Sequence, residues 1–164
     1  MRIKKLLSTA VALAMLSGTC TVNAVTVNMK DTWICEKYQQ YICEVSKEYG
    51  VCPELIMAIV EKESSGKADA ENEGCIGLMQ VSEKWHADRM ERLGVTDIYD
   101  PYGNILVGTD YFMELAAEYE DTYTVLHVYN GTADAVAKAE SGDYTDYAKE
   151  IIERAAVLER VHGK

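Results

Sequence analysis

The chain is poor in the features that mark most redox, metal and nucleic-acid functions. It has two prolines, one phenylalanine and three histidines in 164 residues. His86, His127 and His162 lack metal-ligand spacing, and no glycine-rich phosphate loop is present. No cofactor is therefore expected. Positive charge is also scarce: 16 Lys and Arg stand against 27 Asp and Glu, for a net charge of -11. Nucleic-acid binders carry basic faces, so that class is excluded. A polyanionic substrate would not be drawn in by long-range attraction either. Strand signals are few, and no repeat, linker or low-complexity tract interrupts the chain. Beyond the first two dozen residues no apolar run is long enough for a membrane helix, so no membrane span is expected.

The N-terminus is a separate case. Arg2, Lys4 and Lys5 precede an apolar run from Leu6 to Leu16, and Val22-Asn23-Ala24 offers a small-residue cleavage site. That is the layout of a secretory signal peptide over residues 1–24. Lipidation at Cys20 is a variant, but Thr19 is larger than lipoprotein signals usually want before the cysteine. The expected location is secreted or in the cell envelope. Residues 25–164 remain as one domain, long enough to bury a sizeable core without staples.

Four cysteines follow the signal: Cys35, Cys43, Cys52 and Cys75. Export permits disulfides, and four cysteines allow three pairings. Cys35 and Cys43 would lie about 12 Å apart along a helix, too far to bridge directly. Their spacing fits no zinc pattern. Free thiols or a single bridge both remain open. Cys75 with His127 could form a thiol–imidazole pair, but neither lies in a supporting motif.

Helical patterns dominate. Trp33, Tyr38, Tyr41, Ile42, Val45 and Tyr49 recur at helical spacing, with Gly50 as the stop. Pro53 opens a second helix whose apolar face is Leu55, Ile56, Ile59 and Val60. Ser82 is expected to cap a third helix running through Arg92 and stopped at Gly94. Asp100-Pro101 starts a fourth, with Ile105, Gly108, Tyr111, Phe112 and Leu115 on one face. Gly108 in mid-helix suggests the close approach of another helix. A fifth runs from about Asp121 to Tyr129, and a sixth carries Tyr147, Ile151, Ala155 and Leu158. The loop from Ser65 to Ile76 has room for a small hairpin.

The second helix singles out one acid. With Ile56 as zero, a step of about 100° puts Ile59 at about 300°, Val60 at about 40° and Glu63 at about 340°. Glu63 thus continues the apolar stripe. Glu61, at about 140°, and Glu54, at about 160°, fall outside it and are expected to be solvated. Asp69, Glu71 and Glu73 lie in the polar loop and are expected to be wet. Desolvation raises the pKa of an inward carboxyl, and the dipole at the helix end disfavours its charge. Such a group can donate a proton and later recover it. A structural Glu buried against a cation is the competing role.

Five motifs in order then carry a resemblance: Glu63-Ser64, Gly77-Leu78-Met79-Gln80, Asp100-Pro101 with Asn104-Ile105 and Gly108, Tyr129-Asn130-Gly131, and Tyr147. From about Val51 to about Ala156 the chain resembles the soluble lytic transglycosylases of bacterial cell walls, which share a fold with goose-type lysozyme. The resemblance implies a mostly α, compact single-domain, lysozyme-like helical fold. It implies that Glu63 is the sole catalytic acid/base and that Ser64 helps orient the reaction centre. Gly77 would admit close backbone approach to the ligand, Met79 would form apolar wall, and Gln80 would lie near the reacting sugar. Tyr129 and Asn130 would line the opposite wall, and Tyr147 would hydrogen-bond Glu63. Three departures stand out. Ser65-Gly66-Lys67-Ala68 replaces an aromatic residue and an Asn-Pro turn, Cys75 occupies a small-residue position, and Val128 is bulkier than the usual Ala.

The implied reaction cleaves the β-1,4 bond between N-acetylmuramic acid and N-acetylglucosamine and leaves a 1,6-anhydro end. The partner would be peptidoglycan glycan strands, and a monomer is expected. The setting could be wall remodelling, a secretion or conjugation apparatus, or a phage. A hydrolytic muramidase on the same fold is the first alternative, with Asp69, Glu71 or Glu73 holding the water. A non-catalytic wall-binding or assembly protein is the second.

Overall fold

A computed structural model describes residues 31–164, so the expected signal peptide over 1–24 and Cys20 lie outside the described residues. The architecture is mostly α, as expected. The elements in order are α1 (Glu36–Tyr49), α2 (Pro53–Ser64), β1 (Glu71–Asn72), β2 (Cys75–Ile76), α3 (Glu83–Leu93), α4 (Pro101–Glu118), α5 (Thr122–Tyr129), α6 (Ala135–Glu140) and α7 (Asp146–Val161). No helix among the described residues is long and apolar enough to cross a membrane.

Local sequence accounts for most boundaries. Gly50 ends α1 in the left-handed region (φ 70°), where a side chain costs most. Pro53 and Pro101 sit in the first turns of α2 and α4, where a missing N–H costs nothing. Asp100, Asp121 and Thr145 cap α4, α5 and α7 by accepting from Gly103, Thr124 and Ala148 N–H at 2.9, 2.8 and 3.3 Å. Ser82 holds the N-cap position of α3, but its hydroxyl makes no capping bond. The short α6 was not anticipated: six residues of mostly Ala and Lys carry too little apolar period to announce a helix.

Helix α2 is the axis of the fold, packed along α7 and α1. It is buried on every side from Pro53 to Val60, so its wheel does not divide into a dry and a wet face. That overturns two expectations. Glu54 is 2% exposed and meets His162 Nδ1 at 2.8 Å and Lys164 Nζ at 2.9 Å. Glu61 is shielded too and is held by Arg154 at 2.5 and 2.9 Å. A carboxylate on an enclosed helix persists only when paired, and α7 carries Arg154 and leads into His162 and Lys164 from about a hundred residues away.

The loop after α2 does form a hairpin. Glu71 faces Ile76 and Asn72 faces Cys75, antiparallel, and Ile76 also bridges Val81. The turn residues Glu73 (φ 51°) and Gly74 (φ 83°) are both left-handed, the geometry that a tight two-residue hairpin demands. On the far side, Asp110 of α4 gathers Tyr49 Oη at 2.7 Å, Arg92 at 2.6 Å and Arg89, tying α1 and α3 to α4. Burial alone would raise the Asp110 pKa, but these donors hold it at about 2.

Candidate active site

Glu63 lies in the last turn of α2, partly covered, with its carboxylate receiving the Tyr147 hydroxyl. Burial pushes its pKa up; the Tyr147 bond and the Lys62 charge pull the other way and do not prevail. The carboxyl therefore keeps its proton above the usual carboxylate range. Its charge reaches Cys75 and Tyr129 and pushes both of those groups up after their own burial does. Cys75 and Tyr129 line a groove of about 530 Å³, together with Gln80, Val128, Asn130, Trp85, His86 and Tyr111. Glu63 and Tyr147 do not themselves line this groove; the link is the Glu63 charge, which reaches Cys75 and Tyr129 in its lining.

The segment Gly77–Gln80 is held as a rigid wall. Asn104, fully buried on α4, accepts from Met79 N–H at 2.8 Å and donates to Ile76 O at 2.7 Å and Ile98 O at 3.3 Å. Gly77 (φ 77°) is required here because a Cβ would fall 2.6 Å from Asn104 Nδ2. Its permissiveness thus serves Asn104 rather than a ligand. Ser64 Oγ lies 3.0 Å from Val60 O and 2.9 Å from Leu78 O, stapling the end of α2 to this wall. Tyr129 donates to Met79 O at 3.0 Å from the opposite side.

Two assigned roles change. Met79 is fully buried, with Gly108 so close beneath it that a Cβ there would lie 2.7 Å from the Met79 sulfur. Met79 therefore supports the wall from behind and presents no face to the groove. The close approach that Gly108 permits is by this side chain, not by another helix. Gln80 does reach the groove, but its Nε2 is engaged with Ala70 O at 3.2 Å and Gly77 O at 3.0 Å. Only its oxygen is left to meet a ligand. Asn130 is exposed at the groove edge, at the C-terminal end of α5.

The remaining polar clusters are structural in their contacts. No disulfide joins the four described cysteines, Cys35, Cys43, Cys52 and Cys75. His127 is fully buried, with Nε2 accepting from Thr145 N–H at 3.0 Å and Nδ1 3.4 Å from Ala135 O, so it forms no pair with Cys75. Cys52, Glu54 and Glu159 place ligand atoms within 4.8 Å of one another. Among the described residues these groups could approach a cation, but the Cys52 thiol lies 3.0 Å from Glu54 and 3.3 Å from Glu159, and Glu54 is already paired with His162 and Lys164. This cluster sits at the opposite end of α2 from Glu63, about 13 Å along the axis.

Sequence reasoning missed three groove residues, Trp85, His86 and Arg89. Their only signal was an aromatic and a histidine in a helix that otherwise reads as polar. It also left Asn104 without a role. A single Asn on the apolar face of α4 was the clue, since a buried amide demands partners.

The domain is mostly helical and holds one protonatable Glu whose charge reaches an amide- and phenol-lined groove. The family described as Transglycosylase SLT domain matches residues 40–152, and the chain belongs to that family. It is similar to the membrane-bound lytic murein transglycosylase C of Shigella sonnei, with 31% identity over 146 residues, covering 77% of this chain and 41% of that protein. The same-named protein of Haemophilus ducreyi is 32% identical over 144 residues, covering 76% and 39%. The transglycosylase of Enterobacteria phage PRD1 is 33% identical over 96 residues, covering 58% and 35%. The chain spans less than half the length of these curated relatives.

Proposed function

We propose that the chain is a peptidoglycan lytic transglycosylase in which Glu63 is the sole acid/base. The observation that carries this is the half-shielded Glu63 carboxyl, held by Tyr147 and protonated above the usual range, whose charge reaches Cys75 and Tyr129 in a groove that Gln80 and Asn130 also line. Glu63 gives its proton to the glycosidic oxygen as the bond to the muramyl C1 breaks. The substrate's own acetamide oxygen closes on C1 to an oxazolinium ring. The Glu63 carboxylate then takes the proton of the muramyl C6 hydroxyl, and O6 displaces the acetamide from C1. The proton is recovered, no water is consumed, and the product carries a 1,6-anhydro end.

A single carboxylate suits this scheme. Ordinary glycosidases need a second, about 5 Å away when retaining or roughly 6.5–9.5 Å when inverting. One observation favours hydrolysis as a second reading: the Glu73 charge, like that of Glu63, reaches Cys75. Asp69, Glu71 and Glu73 are all exposed on the hairpin side, so any of them would have to close over the groove to hold a water. Mass spectrometry of digested wall decides between the two. Fragments lighter by one water support the lytic reaction, and reducing ends overturn it. Release by the Glu63→Gln variant would overturn the role of Glu63. We further propose that the chain acts on the wall outside the cytoplasmic membrane, with export directed by residues 1–24; work alongside a secretion or conjugation apparatus fits that location.

A further inference from the structure

The groove does not stop at the residues just assigned. It continues from Gln80 onto the first turns of α3, where Trp85, His86 and Arg89 face Tyr111 and Glu114 of α4. The backbone is bent here. His86 has φ -121° and ψ 16°, outside helical values, and the N–H groups of Trp85 and His86 both point to Ser82 O at 3.1 Å. Off-helix geometry inside a helix persists only where its surroundings impose it. The bend separates two neighbouring rings. The His86 ring turns inward onto Tyr111, with centroids 4.6 Å apart, and Tyr111 in turn rests on Tyr129 at 5.4 Å. Arg89 fixes this floor: Nε donates to His86 Nδ1 at 3.4 Å, the guanidinium lies 5.2 Å from the Tyr111 centroid, and Asp110 and Glu114 hold the charge.

Trp85 does the opposite. Its ring is 75% exposed on the rim of the groove, and Lys84 Nζ covers one face from 4.9 Å. A lone exposed aromatic needs no explanation elsewhere on a surface. This one lines the same groove as Cys75 and Tyr129, the two groups that the Glu63 charge reaches, above a floor too well braced to be an accident of packing. A flat apolar face beside polar hydrogen-bonding groups is the chemistry that receives the C–H face of a pyranose.

We propose that Trp85 is a stacking platform for a sugar of the glycan strand, one or more units from the bond that Glu63 cleaves. The ligand class is a β-1,4-linked N-acetylated glycan. The proposal rests on the glycan-cleaving function above and adds a subsite, with the His86 bend as its positioning device. Trp85 affects how long strands are held and leaves the chemical step alone.

The sequence has only two tryptophans, and Trp33 lines a different pocket with Glu61 and Arg154. This allows a direct test. In the Trp33→Phe, Glu63→Gln protein, Trp85 is the sole indole reporter and turnover is blocked. Titration with the hexasaccharide of β-1,4-linked N-acetylglucosamine, and with peptide-free glycan strands, should quench or blue-shift its emission along the binding isotherm measured by calorimetry. In the otherwise native enzyme, Trp85→Ala should raise KM for long strands about five- to tenfold, the size of one aromatic contact, with kcat within about twofold. Trp85→Phe should restore most of that loss. Calorimetric binding with unchanged emission, or a kcat loss equal to the KM effect, overturns the subsite and leaves the enzyme assignment standing. Absence of both binding and wall cleavage by the unmodified protein overturns the function and the subsite together.

Discussion

Tyr147, in the first turn of α7, donates its hydroxyl hydrogen to Glu63 in the last turn of α2, joining residues 84 positions apart. The position of Tyr147 is itself set from behind. His127 accepts the N–H of Thr145, and Thr145 caps the helix that Tyr147 begins. A buried histidine, a helix cap and a phenol thus form one line of support ending at the Glu63 carboxyl.

Glu63→Gln should lower wall cleavage by about 1000-fold or more, the upper range for losing a general acid. Its effect on stability has a definite sign. Burial raises the Glu63 pKa, so the folded chain retains a proton that the unfolded chain releases. Stability from this group therefore falls as pH rises out of the ordinary carboxylate range. At neutral pH the Gln variant should melt at or above the wild-type temperature, and the difference should fade in acid. A lower melting temperature at pH 7 would show that Glu63 is a stabilising ion-pair member instead.

Tyr147→Phe should shift the pH–activity profile. The phenol stabilises the ionised carboxylate, so its loss raises the Glu63 pKa further. If protonated Glu63 starts the reaction, the alkaline limb moves to higher pH, while kcat at the optimum drops about tenfold. A limb that stays put would separate Tyr147 from the proton transfer.

Asn104→Ala should uncouple the wall from the core. It removes three hydrogen bonds and leaves Met79 N–H buried without its side-chain partner, while Ile76 O keeps the Val81 N–H at 2.9 Å. The cost should be about 2–4 kcal/mol in urea unfolding. Activity at temperatures well below melting should fall more than the folded fraction does. Activity that tracks the folded fraction would make Asn104 merely structural.

Glu54→Gln should weaken the fold and spare the chemistry. Burial would raise the Glu54 pKa, but Lys164, Cys52 and His162 overcome it and hold the group at about 2 against the ordinary 4.5. That depression corresponds to a stabilisation on the order of 3 kcal/mol. It is present above the ordinary pKa and lost as pH falls toward 2. The variant should melt lower at pH 7, lose less stability than wild type on acidification, and keep wild-type kcat when folded. Circular dichroism melts across pH 2–7 check this.

Much of this was readable in the chain because it depends on near neighbours. Caps, proline positions, glycine stops and a 3.6-residue period act within a turn or two, and they placed α1, α2, α4, α5 and α7 closely. They also put Glu63 at the inward end of α2. Glu54 and Glu61 were misjudged for the same reason. A wheel records the apolar side of a helix but not whether a second helix will cover the other side. Helix α7 does, and it supplies Arg154 and leads to His162 to make burial tolerable.

The sequence alone therefore determined the helical framework, the family likeness and the one acid at the end of the central helix. Tertiary structure decided which other carboxylates are buried and paired, that Met79 faces inward, that Asn104 holds the wall, and that the groove extends to Trp85. The division has a physical cause. Helix propensity and capping are local free energies, whereas burial and pairing depend on surfaces brought together from distant parts of the chain.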